Sequence, residues 1–195
     1  MAAMFSLTAW YISTSIGRLI VVMIFRPPVS SVVTGTPSPP SLTGAVSSLF
    51  RSPLRAVITK GRSVTDFYAA ACCHLVFERF PRLRMASVEN GASWAPDLLH
   101  RLDDAANRNP GYFKEHPREQ FNEHVWVTPF WEDHVDQLAA DVPTNRLLLG
   151  SDWPHAEGTR APADYITESL GSLSEGDLHR VARDNALELL RIEIP

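Results

Sequence analysis

The chain has 195 residues, 45% hydrophobic and 21% charged, with a formal net charge of −4 and a pI near 6.0. These values fit a soluble globular domain, or a piece of a larger one, with a sizeable core, and the acidic balance removes the electrostatic footprint of a nucleic-acid binder. The cysteine count of two, in the neighbours Cys72 and Cys73, excludes a disulfide framework and suits a reducing cytoplasm.

Charge divides the chain unevenly. Residues 1–65 hold six of the eighteen basic residues and no acid. The rest therefore carries twelve basic and twenty-two acidic residues, a net of −10. Two such compositions imply two regions: an atypical, partly disordered opening (1–53) and a regular remainder (54–195). Met4–Phe25 is apolar and about long enough to span a bilayer, but Arg18 interrupts it, and Ser13, Thr14 and Ser15 dilute it. No basic residue precedes Arg18, as a secretory signal would require. The segment therefore reads as a helix-like part followed by a short buried strand, "RLIVVMIF" (Arg18–Phe25). Arg26–Pro53 holds six prolines among Ser, Thr and Gly and reads as irregular.

Regular patterning begins at Ser63. "SVTDFYAAACCHLVFERF" (Ser63–Phe80) has helical spacing, with Ser63 and Asp66 in a capping pattern. "LRMASV" (Leu83–Val88) reads as a strand and "SWAPDLLHRLDDAAN" as a helix. "HVWVTPF" (His124–Phe130) is a strand, "EDHVDQLAADV" a short helix and "NRLLLG" (Asn145–Gly150) a strand. In the final helix Ser174 is the N-cap with Asp177 at N3, and Leu173 with Leu178 forms a hydrophobic staple. Strands alternating with helices predict βα units and a parallel sheet. In such sheets chemistry gathers at the C-terminal ends of strands.

Three residues stand at such ends. Asp152 follows "RLLLGS", His155 lies three residues beyond it, and Glu89 follows "LRMASV". Each has a plainer reading. Asp152 can cap a turn before Pro154, His155 can be a loop histidine, and Glu89 can be a solvated acid before the Asn90–Gly91 turn. His124 starts a strand and reads as structural. His74, His100, His116, His134 and His179 lie on helices or polar loops. The chain contains no HxH or HExxH pair, no GxSxG elbow and no phosphate loop.

"FERFPRLRMASVENGASW", "LLLGSDWPHAEG" and "RDNALELL" together resemble the amidohydrolase-related metal-dependent hydrolases, the group that includes aminocarboxymuconate-semialdehyde decarboxylase. The resemblance runs from about Pro53 to Ile194. It implies a (β/α)₈ TIM-barrel-like fold in which the three predicted strands are strands six to eight. It implies that Asp152 binds a divalent metal, zinc in the first instance, and handles the proton of the metal-bound water. A cation of this kind lowers the pKa of its water from 15.7 to roughly 7. His155 would reach the rim of the same site. Glu89 stands where the decarboxylase branch has a catalytic His; a related subgroup uses Glu there, so the resemblance implies a subfamily difference that puts decarboxylation in doubt and leaves hydrolysis open. The HxH pair of the family's first strand has no counterpart here, and no His precedes His74. The resemblance thus implies a cytoplasmic hydrolase of a small organic substrate, with this chain truncated and weakly active or inactive. The competing expectations are a non-catalytic barrel fragment or a carboxy-lyase of the same family. Neither a nucleic-acid nor a membrane partner is expected.

Overall fold

The computed structural model describes residues 7–14, 18–25, 62–130, 133–150 and 161–193. Strand β1 (Leu7–Thr14) pairs antiparallel with β2 (Arg18–Phe25), from Leu7 opposite Phe25 to Thr14 opposite Arg18. β2 then runs parallel to β3 (Arg84–Ser87), and β3 parallel to β4 (Val125–Val127). The sheet order is β1-β2-β3-β4. Beyond β4 the segment Leu147–Gly150 adds one parallel bridge, Leu147 to Val127, and the Leu148 amide donates to the Val127 carbonyl at 2.9 Å.

The parallel pairing of Leu83–Val88 with Val125–Thr128 is therefore observed in its central residues, whereas the strand expected at Asn145–Gly150 is reduced to a 3₁₀ turn and a single parallel bridge at Leu147. The strand expected at Arg18–Phe25 is observed. One expectation for the opening is corrected: Leu7–Thr14 is a strand where a helix-like segment was expected, so the opening supplies two strands of the sheet. Trp10, Tyr11, Ile12 and flanking Thr residues favour a pleated backbone, and a partner strand only three residues on supplies the ladder. The expected irregular stretch 26–53 lies outside the described residues.

Helices alternate with the strands. α1 (Arg62–Cys73) and α2 (Val76–Arg79) replace the single helix expected at Ser63–Phe80. The break is Leu75, whose φ of 56° puts it in the left-handed region and stops the first helix. Arg62 is already helical, so Ser63 lies inside the first turn and is not its cap. α3 (Ala95–Arg108) follows β3, and α4 (Pro117–His124) leads directly into β4, which begins one residue later than the sequence pattern suggested. α5 (Val135–Leu138), a 3₁₀ turn (Thr144–Arg146) and α6 (Pro162–Glu168) come next. A last helical stretch comprises α7 (Glu175–His179), a π turn (Arg180–Asp184) and α8 (Asn185–Leu190). Its predicted cap is present: Ser174 Oγ accepts from the Asp177 amide at 3.1 Å. Leu173 and Leu178 both pack against the main core.

Side chains alternate across the sheet. Met85, Val125, Val127 and Leu147 face the helices, where they join Val64, Tyr68, Cys72, Phe77, Trp94, Leu98, Leu102 and Phe121 in the larger core. Tyr68 stacks on Trp94 at 5.4 Å and meets Phe121 edge-on at 5.6 Å, locking α1, α3 and α4 together. Ala86, Trp126 and Leu148 face the other way and pack with Leu189. His124 is structural, as expected: it is buried, stacks on Phe77 at 4.7 Å and donates Nδ1–H to the Leu83 carbonyl at 2.7 Å.

Candidate functional site

Parallel strands point their C-terminal ends the same way. The residues just beyond Ser87, just beyond Val127 and at the end of Leu147–Gly150 therefore collect along one rim. β3 ends in a tight turn. Glu89 adopts φ 59° and Gly91 φ 63°. A left-handed conformation costs a non-glycine residue roughly 1–3 kcal/mol and concentrates at functional sites. Asn90 supports the turn by donating its side-chain amide to the Val88 carbonyl at 2.7 Å. Gly91 is required twice over, by its φ and by space: a Cβ there would lie 2.8 Å from Phe130 Cδ2.

The turns after β3 and β4 are tied together. Asp133 Oδ2 accepts from the Ala92 amide at 2.7 Å and from the Phe130 amide at 2.8 Å. Trp94 donates its indole N–H to the Gly91 carbonyl at 2.9 Å. From α6, the buried Tyr165 hydroxyl lies 3.1 Å from each of the Pro129 and Phe130 carbonyls, to which it donates. The third segment arrives close by: a Cβ on Gly150 would lie 2.3 Å from Thr128 Cγ2, so glycine is required for the approach.

That segment is held from behind by the last helical stretch. Asn185 is fully buried and donates its amide to the carbonyls of Thr144 at 2.7 Å and Leu147 at 2.8 Å. The Leu149 amide donates to the Val181 carbonyl at 3.1 Å. A π turn widens the helical hydrogen-bond ring and so alters which carbonyls remain available; here Val181 inside that turn accepts from the sheet.

Away from the rim, Arg118 on α4 forms a forked pair with Asp103 of α3 and bonds Asp141 Oδ1 at 3.1 Å. The guanidinium holds the Asp103 carboxyl below its ordinary value by hydrogen bonding first and by its charge second. Hydroxyls of Thr144 and Ser174 likewise hold Asp177 low.

Glu89 thus sits on the strand-end rim, half-buried, as the sequence suggested. Asp152 and His155 lie outside the described residues. Among the described residues no group of three His, Cys, Asp or Glu side chains comes together to hold a metal. His100 and His116 stand near the Asp103–Arg118–Asp141 cluster, and His179 pairs with Asp184 at 3.0 Å; Glu89 takes part in none of these pairs. Sequence reasoning missed Asp133 and Tyr165, whose partners are remote in sequence. It quoted Asn185 inside "RDNALELL" without its role.

Comparison with known proteins places the chain in a family. The family model described as Amidohydrolase matches residues 70–192. An amidohydrolase from Mycobacterium avium subsp. paratuberculosis is similar at 39% identity over 75% of this chain and 39% of that one, with a TM-score of 0.69. Two more distant structures share the fold. A 5-carboxyvanillate decarboxylase from Sphingomonas paucimobilis has 24% identity over 68% of this chain and 41% of that one, TM-score 0.55. A dihydroxybenzoic acid decarboxylase from Polaromonas, solved with manganese and 2-nitroresorcinol, has 20% identity over 80% and 48%, TM-score 0.56. The chain therefore spans well under half the length of the first two and about half of the third. No curated protein matches the chain at a significant level. The parallel βα arrangement is the TIM-barrel-like architecture of these relatives, and the chain belongs to the amidohydrolase family.

Proposed function

We propose that this chain carries strands six to eight of an amidohydrolase barrel and, with them, part of the site of a metal-dependent hydrolase acting on a small organic substrate. The observation that supports this is Glu89. It is an acid in a strained backbone conformation at the C-terminal rim of a parallel sheet, inside the family match. Asp152 has the chemistry of a divalent-metal ligand and proton acceptor, and His155, three residues on, would reach the same rim. Carboxylate and imidazole suit zinc or manganese. A bound metal would supply an activated water at neutral pH. The chain's own residues have other tasks. Glu89 would take or return a proton at the rim, and the pinned turns after β3 and β4 would hold the substrate-facing edge fixed.

Two other readings compete. Carboxy-lyase chemistry is raised by the decarboxylases that share the fold, and Glu89 in place of a histidine stands against it. A non-catalytic role is raised by ligand number. No HxH pair occurs in the sequence, and zinc sites normally use about three protein ligands. The whole protein's activity thus belongs to the proposal, with weak or no turnover expected from this polypeptide by itself. Its expected partner is a small molecule in a reducing cytoplasm. No described helix is long and apolar enough to cross a membrane.

Titration of the dialysed chain with zinc and with manganese tests this reading. Binding below one equivalent, weakened further in Asp152→Ala, is expected. Equal binding by wild type and Asp152→Ala would sink the assignment of Asp152. A stoichiometric metal lost in that variant would overturn the expectation of low activity.

A further inference from the structure

We infer that Asp133 is a positioning residue for Glu89. The inference rests on the reading of Glu89 as an acid of the site. Asp133 contributes no chemistry of its own; it sets the shape of the turn from which Glu89 projects.

The argument begins with strain. Residues 88–92 must hold two left-handed positions within three residues, and one of them, Glu89, has a side chain that disfavours it. Such a turn persists when its surroundings over-determine it. Here the restraints come from outside the turn. Asp133 takes the Ala92 amide at 2.7 Å, across 41 positions of sequence, while taking the Phe130 amide at 2.8 Å with the same oxygen. An aspartate that served its own loop alone would need just the Phe130 bond. The second bond reaches into the turn that carries Glu89.

The contacts around the clamp make it directional. Phe130, held by Asp133, packs so closely over Gly91 that a Cβ there would meet its ring at 2.8 Å and Asp133 Oδ2 at 3.2 Å. The Gly91 carbonyl is fixed on its other side by the Trp94 indole, and the Pro129 and Phe130 carbonyls by the Tyr165 hydroxyl. Gly91 and Ala92 are buried and so are pinned above and below. Glu89, two residues upstream, is the half-buried part of the same turn. Releasing Ala92 would allow the turn to relax, and Glu89 would leave the left-handed region first because it gains most by doing so.

The test uses the full chain, labelled for NMR, as wild type, Asp133→Ala and Asp133→Asn. Two readouts matter: the backbone coupling constant and Cα shift of Glu89, which report its positive φ, and amide exchange at Ala92 and Phe130. In Asp133→Ala both amides should exchange about tenfold faster or more relative to Met85 and Ala86, and the Glu89 signature should move to the extended region. Asp133→Asn keeps an acceptor oxygen and should restore the Glu89 signature in part, which a merely bulky filler role would not produce. It also carries the test if the alanine variant does not fold. The inference is overturned if Glu89 keeps its left-handed backbone while Ala92 exchanges freely, or if all amides accelerate alike. A separate failure, Glu89→Gln leaving both the rate and the pH profile of any metal-dependent hydrolysis as in wild type, would remove Glu89 from the site and leave the conformational result standing.

Discussion

Asn185 gives a quantitative test of how the third parallel segment is held. Its amide donates to two carbonyls, those of Thr144 and Leu147, and the side chain is fully buried. Replacing it with alanine removes both donors and leaves the carbonyls of a packed segment without them. Each lost bond costs about 1 kcal/mol net, and each stranded carbonyl raises that toward about 2 kcal/mol. The expected loss for Asn185→Ala is thus about 2–4 kcal/mol, against a whole-domain stability of roughly 5–15 kcal/mol. In a chain of this length that lowers Tm by roughly 5–15 °C. Urea unfolding should show a shifted midpoint at constant slope. The isosteric Asn185→Asp keeps the volume and exchanges donors for acceptors. A carboxyl facing two carbonyl oxygens titrates above its ordinary value. Protonated, it can donate one bond; ionised, it repels both carbonyls. A raised folded value means that its contribution is present at low pH and lost as pH rises through that value. The deficit relative to wild type should therefore grow between about pH 4 and pH 8. The histidines and the neighbouring Asp177, Asp184, Arg146 and Glu188 are common to both proteins and cancel in the difference. An alanine variant within about 0.5 kcal/mol of wild type, or a pH-independent deficit in Asn185→Asp, would refute the reasoning.

Gly91→Ala combines a left-handed backbone with a Cβ pressed on the Phe130 ring and should cost about 2–4 kcal/mol, read by thermal unfolding; near-wild-type stability would mean that the turn yields easily. Asp103 is held low by Arg118, so the pair's contribution is present above the unfolded carboxylate value and lost as pH falls through the lower folded one. Arg118→Met should lose roughly 1–2 kcal/mol near neutrality and show a flatter acid-unfolding profile below about pH 4, and an unchanged profile would count against the pair. Burial pushes the Cys72 thiol up to about 12 and raises Cys73 as well, so a thiol reagent at pH 8 should label Cys73 slowly and Cys72 on unfolding; prompt labelling of Cys72 in the folded protein would contradict the packing of α1.

What could be read from the sequence was what is decided locally. The strands at Arg18–Phe25 and Leu83–Val88 are short apolar runs with clear ends. Ser174 with Asp177, and Leu173 with Leu178, are capping signals that act within one turn. Leu7–Thr14 was misread because its strand character rests on pairing with β2, and its apolar run has no decisive period. α4, "PREQFNEH", was missed because it buries just Pro117, Gln120, Phe121 and His124 and reads as polar. At the rim, Glu89 was legible because strand ends are predictable. Its left-handed φ was not, and neither was the Asp133 clamp, since the Ala92 bond spans 41 positions that no local pattern encodes. "RDNALELL" was recognisable as a motif, while the reason for its asparagine needed the carbonyls of Thr144 and Leu147 in view.

The opposite end of the sheet shows why those long-range contacts divide into two kinds. Arg84 begins β3 and Arg146 precedes the third segment, so both stand at N-terminal ends. Their guanidinium groups lie 5.5 Å and 4.4 Å from the ring of the buried Trp126. Arg84 donates to the Glu188 backbone carbonyl, and Arg146 reaches the Glu188 carboxylate at 3.3 Å and the Asn122 carbonyl at 2.6 Å. α8 is thereby fastened under the strands by two cations and an aromatic plate. None of Arg84, Trp126, Arg146 and Glu188 has a left-handed backbone, so this end is held through side chains and ring faces. At the C-terminal rim it is the backbone that is strained: Asp133, Trp94 and Tyr165 pin a turn that carries two left-handed residues, one of them the acid Glu89. In a barrel-type sheet one end serves stability and the other chemistry. The same segment links them, since Asn185 and Val181 grip residues 144–149 immediately before Gly150 closes on Thr128. The last helical stretch therefore does more than cover the core: it fixes the height at which the third segment arrives at the rim that carries Glu89.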